Sequence, residues 1–255
     1  VKFQAIKLYL YFNQNLTIDN GTSYFESGGT VYSIYAVHEG LKFPWDITFI
    51  NENEILVTKK SGRLSLIDLG TGDTSVIREM PIVSFTDQGG LLGVELYPDF
   101  STNQVIYLSY TVSLDTGENQ IQLLKARLVG NTLQESEVIF RVLPVVDEMC
   151  NLGGAIATDQ VCRVFLSVGE HQSRENLQSK RSHLGAIIRL NDDGSIPADN
   201  PFVADSTAFP EIYSYGHHNP QGLSFDATTG TLWSAEHGPK GGGEINIIEP
   251  GKNYG

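Results

Sequence analysis

Asp46-Ile-Thr-Phe-Ile50, a polar Asn-Glu-Asn, then Ile55-Leu-Val57: this stretch decides the fold. Apolar and polar residues alternate with a period of two, the turn is polar, and the return strand is β-branched, so it reads as a β-hairpin. The pattern recurs three times. Gly93-Val-Glu-Leu-Tyr97 turns through Pro-Asp-Phe-Ser into Val105-Ile-Tyr-Leu108, and Gly154-Ala-Ile-Ala157 turns through Thr-Asp-Gln into Val164-Phe-Leu166. Gly222-Leu-Ser-Phe225 turns through Asp-Ala-Thr-Thr-Gly into Leu232-Trp-Ser234. The units start at 46, 93, 154 and 222, at intervals of 47, 61 and 68 residues. Self-similarity near 40–50 residues in an all-β chain marks a β-propeller. A four-stranded blade cannot bury both faces alone, so blades stack radially. Four units predict about four antiparallel blades and a ring that does not close. The extra residues of the two longer intervals are expected as loops on one face of the disc.

Working outward, Val31-Tyr-Ser-Ile-Tyr-Ala-Val37 and Arg63-Leu-Ser-Leu-Ile67 also read as strands, and Arg174 to Gly185 has room for one short helix. Residues 1–30 stay an unassigned N-terminal segment, and residues 31–255 form the partial propeller. With 255 residues, 40% of them hydrophobic, the chain can bury a real core. Lys and Arg number 17 against 30 Asp and Glu, a net charge of −13. That balance argues against nucleic acid and anionic membranes, which reward a basic face, and suits a neutral ligand or a divalent cation. No apolar run is long enough for a membrane-spanning helix. Cys150 and Cys162 have neither CxxC nor zinc spacing, which leaves a single disulfide and two free thiols both open. Asn15-Leu-Thr17 and Asn20-Gly-Thr22 are glycosylation sequons. The chain starts at Val1 and stops at Gly255 in a Gly-rich loop, so both ends read as cut.

Four segments are polar or Gly-rich where a plain loop would suffice. Thr86-Asp-Gln-Gly-Gly-Leu-Leu-Gly93 pairs glycines, which let backbone approach a ligand, with Gln88, both donor and acceptor. Glu148-Met-Cys-Asn-Leu-Gly-Gly154 is followed by Gly169-Glu170-His171, where a carboxylate can orient a neighbour and an imidazole can act as a base. In Ser214-Tyr-Gly-His-His-Asn-Pro-Gln-Gly222 only one of His217 and His218 can face a pocket, because neighbours on an extended strand point opposite ways. Ala235-Glu-His-Gly-Pro-Lys-Gly-Gly-Gly-Glu244 exposes backbone carbonyls of the kind calcium takes.

Together these segments resemble the glucose/sorbosone dehydrogenase family, the soluble PQQ-dependent sugar dehydrogenases, and in particular its aldose sugar dehydrogenase branch. The motifs are Phe43-Pro-Trp-Asp-Ile-Thr-Phe49, Leu56-Val-Thr58, Gly62-Arg-Leu64, Gln88-Gly-Gly-Leu-Leu-Gly93 and Ser182-His-Leu-Gly185 with Arg189-Leu. Asp193-Gly-Ser-Ile-Pro-Ala-Asp-Asn-Pro-Phe202, Tyr215-Gly-His-His-Asn-Pro-Gln-Gly222, Glu236-His-Gly-Pro239, Glu244-Ile-Asn and Asn253-Tyr-Gly255 continue it in order. The resemblance implies a six-bladed propeller that binds PQQ with a calcium ion, oxidises the C1 hydroxyl of an aldose to a lactone, and is periplasmic or secreted. It assigns Gln88, His218 and Asn219 to cofactor binding, Gly238 and Pro239 to the PQQ calcium through their carbonyls, and Glu244 and Tyr254 to a second calcium. It names neither the sugar nor the electron acceptor.

The departures bear on activity. The family's base histidine falls on Asn151, and its following Arg falls on Ala155. Asparagine accepts no proton at neutral pH, and a general base is worth about 10²–10⁴ in rate. Glu170 stands where a carboxylate orients that histidine, and is expected to lack its target. His218 replaces the Arg of an Arg-Asn pair, and imidazole is a poorer partner than guanidinium for a tricarboxylate. Two functions follow: a sugar oxidoreductase in which His171 is a candidate substitute base, or a degenerate propeller that binds a ligand or protein without oxidation.

Overall fold

The computed structural model describes residues 17–19, 22–34 and 38–255. Asn15, Asn20 and Tyr35–Val37 lie outside the described residues. Strands β1 (Thr17–Asp19), β2 (Thr22–Ser27) and β3 (Thr30–Ile34) form a small sheet of their own. Val31–Ile34 therefore pair here and not in a blade.

Four blades follow. Blade one holds β4 (Pro44–Phe49), β5 (Glu54–Lys59), β6 (Arg63–Asp68) and β7 (Thr74–Val76). Blade two holds β8 (Leu91–Leu96), β9 (Val105–Ser113), β10 (Asn119–Val129) and β11 (Thr132–Arg141). Blade three holds β12 (Gly153–Thr158), β13 (Val164–Val168), β14 (Ala186–Leu190) and β15 (Ile212–Tyr215). Blade four holds β16 (Pro220–Phe225), β17 (Leu232–Glu236) and β18 (Glu244–Ile248). All neighbouring strands within a blade are antiparallel. The four repeats of the sequence are the first two strands of the four blades. First strands pack on one another in chain order, β4 on β8, β8 on β12 and β12 on β16, and no comparable packing joins β16 to β4 among the described residues. The molecule is a four-bladed propeller arc.

Each first strand slips register near its start, between Pro44 and Ile47, Leu91 and Val94, Gly153 and Ile156, and Pro220 and Gly222. Such a bulge bends the innermost strand, which must turn sharply at the axis. Between blades two and three, Leu92, Tyr107, Leu123, Leu152, Leu166 and Ile188 form one buried cluster. The blades touch there through backbone: a Cβ on Gly93 would sit 2.5 Å from the Gly154 carbonyl oxygen.

A hydroxyl rivets each junction. Thr58 Oγ1 accepts the Asp46 N–H of its own blade (2.8 Å) and donates to the Leu92 carbonyl of the next (2.6 Å). Ser109 Oγ accepts from Gly93 N and donates to the Gly154 carbonyl. Ser167 Oγ accepts from Ala155 N at 2.9 Å and donates to the Pro220 carbonyl at 2.8 Å. All three residues are fully buried. Each rivet satisfies two backbone groups that the bulge withdraws from the sheet ladder. The same register in blade four holds Ala235, opposite Gly222. Asp46 adds a second tie between blades one and two, its Oδ2 accepting the Val94 N–H at 3.0 Å. Burial raises this carboxyl to about 6, against the hydrogen bonds from Val94 and Ile47 that pull it down.

Three expectations are corrected. In blade two the extra residues lengthen strands, with β9, β10 and β11 running 9, 11 and 10 residues, and do not form loops. In blade three they do form loops, 169–185 and 191–211, but these join successive antiparallel strands and so lie at opposite ends of the blade. The Arg174 to Gly185 stretch holds only a 3₁₀ turn, Arg174–Asn176, and the short α-helix is Phe100–Asn103. Both cysteines are free thiols. No helix among the described residues is long and apolar enough to cross a membrane.

Candidate functional site

In an antiparallel hairpin the start of the first strand and the end of the second lie at the same end. Gln88, Asn151 and Asn219 precede β8, β12 and β16, whereas Glu170 and Gly238 follow β13 and β17. Five segments spread over 150 residues of sequence are thereby carried to one end of the propeller.

Hydrogen bonds join them. Gln88 Oε1 accepts the Asn151 N–H at 3.0 Å. Asn151, at φ +50°, donates its Nδ2 to Glu170 Oε1 at 2.6 Å. His218 Nε2 lies 3.4 Å from that same carboxylate oxygen, and its Nδ1 donates to the His237 carbonyl at 2.6 Å. Asn219 Oδ1 accepts the Gly153 N–H at 3.1 Å and Gln221 Nε2 at 2.8 Å, and the Asn219 carbonyl takes the His237 N–H. A backbone N–H can only donate, so the amide oxygens of Gln88 and Asn219 are the ends that face blade three. Their NH₂ ends have no partner among the described residues.

The acid–base groups are less available. Glu170 is 1% exposed, and its Oε2 has no hydrogen-bond partner. Contrary to expectation it does not lack a target: it takes the Asn151 amide and faces His218. His171 is 3% exposed with neither ring nitrogen hydrogen-bonded, and burial pulls its imidazole down to about 4. No substrate hydroxyl reaches such a ring, so His171 does not serve as the substitute base. His217 is the inward member of the His pair. Its Nδ1 bonds Glu236 Oε2 at 3.0 Å, its Nε2 meets Ser214 Oγ at 2.9 Å, and its ring stacks on Tyr254 at 4.8 Å. His218 engages only its Nδ1 in a hydrogen bond, and its Nε2 faces Glu170 without one.

Gly238 leads into the 3₁₀ turn Pro239–Gly241, and a Cβ there would fall 1.7 Å from the Gly242 carbonyl oxygen. The Pro239 carbonyl already accepts the Gly242 N–H at 3.3 Å. Glu244 and Tyr254 are not brought together by any hydrogen bond. Glu244 holds Asn246 Nδ2, while the Tyr254 hydroxyl donates to the Ile247 carbonyl and accepts the Glu249 N–H. No group of three or more His, Cys, Asp or Glu with metal-site geometry occurs among the described residues.

Along the axis runs a cavity of about 530 Å³, lined by Trp45, Asp46, Ala155, Gln221, Glu236 and Glu244 among others. Three contributors escape a reading of the sequence. Glu236 holds both His217 and the His218 N–H (2.9 Å). Asp46 joins two blades, and Lys60 donates Nζ to the Asp87 carbonyl beside Gln88. Glu236 closes a strand and opens the Glu236-His-Gly-Pro239 motif, but neither feature names the two histidines it holds.

The family model for glucose/sorbosone dehydrogenases matches residues 41–255. The chain is 36% identical over 226 residues to the aldose sugar dehydrogenase YliI of Escherichia coli K12, covering 88% of this chain and 61% of that one. It is 31% identical over 234 residues to quinoprotein glucose dehydrogenase B of Acinetobacter calcoaceticus, covering 80% and 48%. The PQQ-bound aldose sugar dehydrogenase of Streptomyces coelicolor matches with a TM-score of 0.74 at 30% identity, over 86% of this chain and 64% of that one. The chain thus spans between 48% and 61% of the length of these two curated relatives.

Proposed function

The chain belongs to the glucose/sorbosone dehydrogenase family, and from that membership we propose that the face carrying Gln88, Asn151 and Asn219 binds PQQ and an aldose for oxidation at C1. One observation carries the reading. Backbone N–H groups pin the amide oxygens of Gln88 and Asn219, which turns two NH₂ groups outward, the donor chemistry that a tricarboxylate needs. The Gly238 turn adds a carbonyl surface with no Cβ in the way, which suits a calcium ion shared with the cofactor. PQQ, when bound, supplies the hydride acceptor.

The chain's own residues bind and orient. Glu170 holds the Asn151 amide, so that Asn151 Oδ1 is left to accept a hydrogen bond from a sugar hydroxyl. It cannot take the proton. Glu170 and His171 are buried; His218, whose Nδ1 donates to the His237 carbonyl, leaves a partly exposed Nε2 that faces Glu170 at 3.4 Å and is an imidazole nitrogen near Asn151 able to accept a proton. With asparagine at the base position turnover is slow, and that same substitution favours the second reading, a propeller that binds ligand without oxidising it.

Two measurements separate the readings. Titration with PQQ and calcium should give saturable binding that Gln88→Ala and Asn219→Ala weaken. A dye-linked aldose oxidation assay should give little turnover in the native chain and about 10²–10⁴-fold more with Asn151→His. Binding without gain in Asn151→His supports the non-oxidising module. Absence of PQQ binding removes the cofactor reading.

A further inference from the structure

Phe43 occupies, in blade one, the place that Asn219 occupies in blade four: three residues before the bulged position, Asp46 in one and Gly222 in the other. It belongs to the same end of the propeller. Its backbone sits at φ +52°, a left-handed conformation costly for a bulky aromatic residue. That strain is not repaid by burial, since Phe43 is 61% exposed. Its ring meets Phe85, itself 43% exposed, at 5.5 Å and 59°, so the two faces form an open trough. Lys60 underpins it: Nζ lies 5.7 Å from the Phe85 ring and 5.3 Å from the Trp45 ring, and its backbone N–H holds the Phe43 carbonyl at 3.0 Å.

The trough is tied to the site through Lys60 and the loop that carries Gln88. Phe85 and Gln88 share one loop, which Lys60 Nζ grips at the Asp87 carbonyl, and Trp45 lines the axial cavity. Exposed aromatic faces beside amide donors suit a ligand that is apolar on one face and hydroxylated at its edge, which is the chemistry of a pyranose ring. A strained residue that holds a ring out in water is best explained by a ligand that covers it.

The geometry points to Phe43 and Phe85 as a sugar-ring platform at the blade-one wall of the site. The aldose lays its C–H face on the rings and turns its hydroxyl edge toward Gln88 and Asn151. This assignment rests on the proposed sugar chemistry, but not on turnover.

The test is an NMR titration of the chain with D-glucose, with and without PQQ, alongside separate PQQ titrations. Phe85→Ala and Phe43→Asn should each weaken glucose binding about tenfold and leave PQQ affinity unchanged, and Phe85→Trp should retain it. Both side chains are exposed, and Asn tolerates positive φ, so urea midpoints should hold and report correct folding. Glucose binding that the variants do not alter overturns the platform while the family reading stands. Equal losses of PQQ and glucose also overturn it, by giving the rings to the cofactor. Glucose that fails to bind the native chain under either condition overturns it too, and the PQQ titration then judges the cofactor reading independently.

Discussion

Ser167→Ala removes one hydroxyl and orphans two backbone groups. Ser167 is fully buried at the junction of blades three and four, and its Oγ is the acceptor for the Ala155 N–H and the donor to the Pro220 carbonyl. No water reaches the position, so alanine leaves a bare N–H and a bare carbonyl in the core. Each such group costs about 1–3 kcal/mol, and partial relaxation of the bulge puts the expected loss at about 2–4 kcal/mol. That is a large share of the roughly 5–15 kcal/mol by which a domain is stable. Urea unfolding should show a lower midpoint with an unchanged slope. Ser109→Ala should behave alike, and Ser136→Ala, at an exposed position of β11, should do nothing. The Asn219 amide, one residue from Pro220, should also loosen, so PQQ affinity should fall alongside stability. A loss below about 0.5 kcal/mol, the range of an ordinary surface change, would refute the rivet.

Two buried groups should oppose each other across mildly acidic pH. Burial raises Asp46 from 3.8 to about 6, so its contribution is fullest below about pH 4 and is lost as pH rises through 6. Burial lowers His171 from 6.5 to about 4, so its contribution is fullest above about pH 6.5 and is lost as pH falls through 4. His171, 3% exposed, is worth about 3 kcal/mol, and the half-buried Asp46 less than that. Asp46→Asn should therefore leave a stability that drops on acidification, and His171→Asn one that rises, read as urea midpoints between pH 4 and 7; parallel profiles in both variants would contradict these environments. Gly238→Ala puts a Cβ onto the Gly242 carbonyl and must open the turn, so calcium-dependent PQQ affinity should fall at least about tenfold; unchanged affinity in a titration would count against the carbonyl cradle.

The fold was legible because its determinants are local and repeated. The alternation through Ile47, Val94, Ile156 and Leu223 sets four first strands, and each hairpin carries its own turn. The rivets were not legible: Thr58, Ser109 and Ser167 follow the apolar run in the second strand of three repeats, but a hydroxyl in a sequence does not name its acceptor in the next blade. Polar, Gly-rich loops by themselves read equally well as turns, and the candidate ligand groups were found through the family resemblance, whose motifs fall on Gln88, Asn151 and Asn219. Their state was not. Whether Glu170 is idle or holds Asn151, whether His171 is open or sealed, and which of His217 and His218 faces Glu170 depend on burial and on partners far away in the chain. The same holds for Phe43, whose exposed ring and strained backbone look in sequence like one more apolar residue before a strand. Sequence set the strands, because period and turn chemistry act over a few residues. Only the tertiary structure decided hydrogen-bond partners and solvent access, because those arise when separate blades close on one axis.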